Sequence, residues 1–85
     1  MAINIQYGAS HLVKKQWAQE IERAATTVSS SAWEYNGTGT LASPTLTGSL
    51  AEVMFTPQTS GWLTNTATLA NGEVRVEQFY VFVFE

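Results

Sequence analysis

Hydrophobic and polar residues alternate along most of this chain with a period of two. Ile3, Ile5 and Tyr7 alternate with Asn4 and Gln6 before Gly8, which predicts a short strand with one apolar face. Val53 and Phe55 alternate with Glu52 and Met54 between Leu50 and Thr56, and Pro57 with Gly61 closes that run. From Trp62 to Leu69 the set Trp62, Thr64, Thr66, Thr68 alternates with Leu63, Asn65, Ala67, Leu69. Asn71-Gly72 follows, and then Val74 to Phe84, so the pattern predicts two strands joined by a hairpin. A further strand starts near Val28, with Ala32 and Glu34 on one face and Trp33 and Tyr35 on the other. After the Asn36-Gly37 turn, Thr40 to Gly48 reads as extended edge or loop material interrupted by Pro44.

One stretch resists the alternation. Val13, Trp17, Ile21, Ala25 and Val28 share a helical face, whereas Val13, Trp17 and Ile21 also share a strand face. Residues 14 to 25 are rich in Lys, Gln, Ala, Glu and Arg, and Ser10 could serve as an N-cap, so propensity favours helix there. Short strands spaced by about 8–12 residues, with turn residues between them, point to a single all-β sandwich domain over residues 1–85.

The last strand carries the most informative feature. Phe79, Val81 and Val83 lie on one face and Tyr80, Phe82 and Phe84 on the other, so both faces of its second half are apolar. An opposing sheet covers one face; the other requires a neighbouring molecule, or the Ser10 to Ala25 segment folded back over it.

Composition narrows the functional classes. The chain has 85 residues, 45% apolar and 13% charged, with a net charge of −3 and no cysteine. A chain of this size buries only roughly 60% of its unfolded surface, so a good core or a shared surface is needed. Serine and threonine stand in for charge on the surface; between Ala24 and Gly72 only Glu34 and Glu52 are ionised. Four basic against seven acidic residues provide no electrostatic footprint for nucleic acid. Met1 to Gln6 has no basic segment before a long apolar core, and no stretch approaches about 18 apolar residues, so neither a secretory leader nor a membrane span is expected.

Catalytic and metal chemistry find little purchase. His11 is the single histidine and aspartate is absent, so no nucleophile-base pair, metal set or cofactor loop is expected. Glu20 and Glu22 beside Arg23, Lys14 and Lys15 read as a solvated charge cluster. Trp17, Trp33 and Trp62 admit two readings: core and interface anchors, or sugar-stacking platforms.

Beyond these patterns, Trp17 followed by Thr27-Val28-Ser29-Ser30-Ser31-Ala32-Trp33, then Met54 to Trp62, then Thr64 to Leu69, and finally Asn71 to Val83, resembles a family of small Ig-like structural proteins of tailed bacteriophages, described as fibre-tail adaptors or tail accessory proteins. The resemblance covers roughly residues 12 to 83. Gln16 stands where that family tends to have Asp, and Arg75 lies one place after the usual Arg. It implies an Ig-like β-sandwich with a strand over Leu12 to Ile21, against the helix that propensity favours. Because pairing between strands overrides local propensity, strand is the expectation taken, with 10–25 open between the two.

The resemblance further implies a non-enzymatic virion protein, present in the host cytoplasm during assembly, that joins other virion structural proteins at neck, tail or fibre in a symmetric array. A capsid decoration protein and a carbohydrate-binding module for host glycans are the alternatives. The protein-interface candidates are Trp17, Trp62, Tyr80, Phe82 and Phe84, with no nucleic acid, membrane or cofactor among the partners.

Overall fold

The computed structural model describes residues 2–85 and contains two sheets packed face to face, with one short helix. Strands β1 (Ala2–Gln6), β7 (Val74–Phe84), β6 (Gly61–Leu69) and β3 (Val28–Tyr35) form a four-stranded sheet in that spatial order. Strands β2 (His11–Gln16), β5 (Leu50–Pro57) and β4 (Gly39–Thr47) form the other sheet. The fold is an all-β sandwich. The triplet β2-β5-β4 of one sheet faces the triplet β7-β6-β3 of the other. The first strand pairs with β7 in parallel.

The alternation seen in the sequence sets which side chains meet between the sheets. Ile5, Val13, Val53, Phe55, Leu63, Phe79 and Val81 form the main core, with Trp33 stacked on Phe79 at 6.3 Å between ring centroids. A second cluster lies toward one end, where Ala51 of β5 and Ala67 of β6 present no bulk and Trp17 fills the space they leave. The Trp17 indole N–H donates to Asn65 Oδ1 at 2.7 Å, and Asn65 Nδ2 donates to the Ala32 carbonyl at 3.2 Å. Asn65 is the one buried polar side chain among the described residues, and these two bonds pair its acceptor and one of its donors.

The stretch 10–25 divides between the two expectations. His11–Gln16 is strand, paired antiparallel with β5 from His11↔Phe55 to Gln16↔Leu50. Helix α1 (Ala18–Ala24) follows at once. The strand expectation to Ile21 is therefore corrected to Gln16, and the helix from Ser10 to one starting at Ala18. Ser10 is not an N-cap; its hydroxyl pairs with Thr56 at 2.8 Å. Pairing wins where Leu12 to Gln16 finds a partner strand. Propensity wins where Gln19, Glu20, Glu22 and Arg23 have none, and Ala25 ends the helix with φ 52°. Lys15 holds this corner closed, with Nζ 4.7 Å from the Trp17 ring centroid and 3.2 Å and 3.7 Å from the carboxylates of Glu77 and Glu20.

The Asn-Gly hairpin forms, with a four-residue connection in place of a two-residue one. Leu69 N–H donates to the Glu73 carbonyl at 2.8 Å, Asn71 Oδ1 accepts the Glu73 N–H at 3.0 Å, and Gly72 takes φ 93°, which a residue with a side chain adopts only under strain. The edge material around Pro44 is a real strand whose pairing shifts between Ala42 and Thr45.

Candidate interaction surface

Because β7 pairs with β1 on one side and β6 on the other, its alternate residues divide sharply. Phe79 and Val81 are 2% and 0% exposed between the sheets, whereas Tyr80, Phe82 and Phe84 on the outer face are 38%, 50% and 43% exposed. Trp62, 44% exposed, stands directly opposite Tyr80 in the β6–β7 register, and the two rings meet edge to face at 5.2 Å and 71°. Phe82 lies beside Asn4 and Phe84 beside Gln6 on β1. Val76 and Val74, opposite Thr66 and Thr68, continue the stripe to the far end of the strand, and both are exposed. The 10–25 segment does not fold over this face: β2 belongs to the other sheet, and Trp17 is buried against Ala51 and Ala67.

Around the stripe the outer face is almost uncharged. Thr64, Thr66 and Thr68 of β6, Ser30, Ala32 and Glu34 of β3, and Asn4 and Gln6 of β1 share it, and Glu34 is the one charged side chain among them. The opposite face of the sandwich differs, since Lys14 and Glu52 form an ion pair there at 4.0 Å beside Leu12 and Met54.

Beside Trp62 the outer face dips into an open depression of about 260 Å³ lined by Glu34, Tyr35, Asn36, Trp62, Thr64 and Gln78. Glu34, Thr64 and Gln78 reach it from three neighbouring strands in one row of the register. Asn36 fixes its rim: Oδ1 accepts the Trp62 backbone N–H at 2.7 Å, and Asn36 N–H donates to the Trp62 carbonyl at 3.2 Å. Gly61 makes this approach possible, because a Cβ there would stand 2.5 Å from that Oδ1. The Tyr35 hydroxyl donates to the Thr59 carbonyl. Burial, and secondarily the Tyr80 phenol, holds the Tyr35 pKa above its ordinary value.

Of the residues singled out from sequence, Trp62, Tyr80, Phe82 and Phe84 come together on one face. Trp17 does not: it is 2% exposed, a core anchor and no contact residue. Trp33 is half-buried within the sandwich, its indole N–H enclosed without an acceptor. Val74 and Val76 escaped the sequence reading although they continue the same alternation, with only Gln78 interrupting it. The grouping of Glu34, Asn36 and Gln78 had no sequence signal, because strand register alone brings them together. Among the described residues, no group of three or more His, Cys, Asp or Glu could hold a metal ion, and no helix is long and apolar enough to cross a membrane. Comparison with family models, curated proteins and solved structures gives no match.

Proposed function

We propose that this chain is a non-enzymatic assembly protein that adheres to other structural proteins of a particle through the outer face of its four-stranded sheet. Together with the sequence resemblance, this reading places it in a tailed-phage virion, as an adaptor at neck, tail or fibre. The observation that carries the adhesion is the row of four aromatic rings and two valines left in water. At about 150–250 Å² for a whole aromatic side chain, the four rings leave on the order of 350 Å² exposed, and with the valines the patch reaches the size that marks contact sites. Burying the rings contributes about 9 kcal/mol at ~25 cal/mol per Å², comparable to the ~4–15 kcal/mol cost of association. One copy therefore adheres weakly, and several copies held by particle symmetry adhere well.

Phe82→Asp tests this reading. The side chain is half exposed, so the variant keeps its fold. Introduced into the producing phage, it is expected to be expressed in soluble form yet missing from purified particles. Unaltered incorporation overturns the reading.

A second reading rests on the depression beside Trp62, where an exposed indole meets a carboxylate, an amide and a hydroxyl, the chemistry that holds a sugar ring. Titration with neutral oligosaccharides separates the two. A glycan site gives a tryptophan fluorescence change that Trp62→Ala abolishes, and an assembly face gives none.

A further inference from the structure

Each sheet of the sandwich has two edges, and three of the four edge strands carry features that discourage a further strand from adding. β4 contains Pro44 next to Ser43, whose φ is 52°, and its pairing slips there. β2 carries Lys14 and Lys15. β3 is broken by a register shift between Val28 and Ser30 and carries Glu34. β1 has none of these. Ala2-Ile3-Asn4-Ile5-Gln6 has no charge, no proline and an unbroken register against β7.

The backbone of β1 is also set for pairing. Tyr7 N–H donates to the Phe84 carbonyl at 2.7 Å, so Tyr7 directs its N–H toward β7. Backbone polar groups alternate sides along a strand. Those of Ile3 and Ile5 thus turn toward β7, and those of Ala2, Asn4 and Gln6 toward the open edge. The Gln6 carbonyl accepts the Ala9 N–H at 3.0 Å and retains a second lone pair.

We propose that β1 pairs antiparallel with β1 of a second copy of this chain, about a twofold axis through Asn4, joining two four-stranded sheets into one of eight strands. The strand's own sequence argues for a copy of itself as the occupant. In this register Asn4 meets Asn4, Ala2 meets Gln6 and Ile3 meets Ile5, so the open backbone groups face one another as hydrogen-bonded pairs and no like charges oppose. The isoleucines, which lie on the core side of β1 with Ile5 buried and Ile3 partly buried, meet across the axis and continue the core from one copy to the next. Phe82 and Phe84, the neighbours of Asn4 and Gln6, then run on either side of the axis, and two aromatic stripes share one outer face. This pairing stands independently of what that face adheres to.

A cysteine-free chain makes the test direct. Hydrogen-bonded antiparallel partners lie about 5.5 Å apart between Cα atoms, inside the disulfide range of roughly 4.4–6.8 Å. Under mild oxidation Asn4→Cys is expected to give a covalent dimer, whereas Thr45→Cys on the β4 edge stays monomeric. Wild type is expected to sediment at twice the chain mass. Asn4→Pro removes only the edge N–H and is expected to keep the β circular-dichroism spectrum while sedimenting as a monomer. Asn4→Lys, which sets like charges across the axis, is expected to do the same. Phe82→Asp is expected to leave the dimer intact, so failure here and failure of the adhesion reading are separable. A monomeric wild type at the highest attainable concentration overturns the proposal. So does a dimer that survives both Asn4→Pro and Asn4→Lys, or equal cross-linking through Thr45→Cys.

Discussion

The bond between Trp17 and Asn65 joins the helix corner to the middle of the opposite sheet, and its worth is measurable by a double-mutant cycle. Asn65→Leu keeps the branching of the side chain but leaves the buried Trp17 N–H without an acceptor, an expected loss of about 1–3 kcal/mol. Trp17→Phe leaves Asn65 Oδ1 unpaired and withdraws part of a ring from between Ala51 and Ala67, an expected loss of about 2–4 kcal/mol. In the double variant neither orphan remains. Its destabilisation should therefore fall short of the sum of the two singles by about 1–3 kcal/mol. A chain of 85 residues has a total stability of roughly 4–13 kcal/mol, so each single is visible and neither need unfold the protein. Urea unfolding followed by far-ultraviolet circular dichroism is the suitable assay, because replacing Trp17 alters the fluorescence signal. With a slope of about 1–2 kcal/mol per molar, Asn65→Leu should lower the midpoint by roughly 0.5–3 M and Trp17→Phe by roughly 1–4 M. Additivity within about 0.5 kcal/mol would show that the two side chains do not depend on each other, and the account of this corner would be wrong.

Trp33 gives the contrasting case. Its indole N–H is enclosed with no acceptor, so Trp33→Phe removes a desolvated donor as it removes volume, and the stability should stay within about 1 kcal/mol of wild type in the same urea assay. A loss as large as that of Trp17→Phe would contradict this. Tyr35 titrates late because burial disfavours its phenolate; its folded pKa lies above the unfolded one, so the stabilisation is fully present below the unfolded value near 10 and is lost as pH rises through the folded value. In a spectrophotometric titration, Tyr35→Phe should remove phenolate absorbance that develops above the ordinary tyrosine range. Late absorbance undiminished in that variant would refute the assignment.

Periodicity by itself determined much of this protein. A repeat of two assigns every second residue of a strand to one face whatever the partner, so Leu63, Asn65, Ala67 and Leu69 on the one strand, and Tyr80, Phe82 and Phe84 on the other, were each legible as sharing a face, while packing decided that the first row is buried and the second exposed. The Asn71-Gly72 hairpin was legible for a similar reason, since turn chemistry acts over a few neighbouring residues. Tertiary structure decided what depends on partners far along the chain. Val13, Trp17 and Ile21 satisfied both periods, and only the pairing of β2 with β5 stopped the strand at Gln16 and let α1 begin at Ala18. The same packing enclosed Trp17 and left Trp62 in solvent, although each is a tryptophan among polar neighbours. A tryptophan's place is set by the volume that facing residues leave free, here by Ala51 and Ala67, and no local pattern encodes that volume.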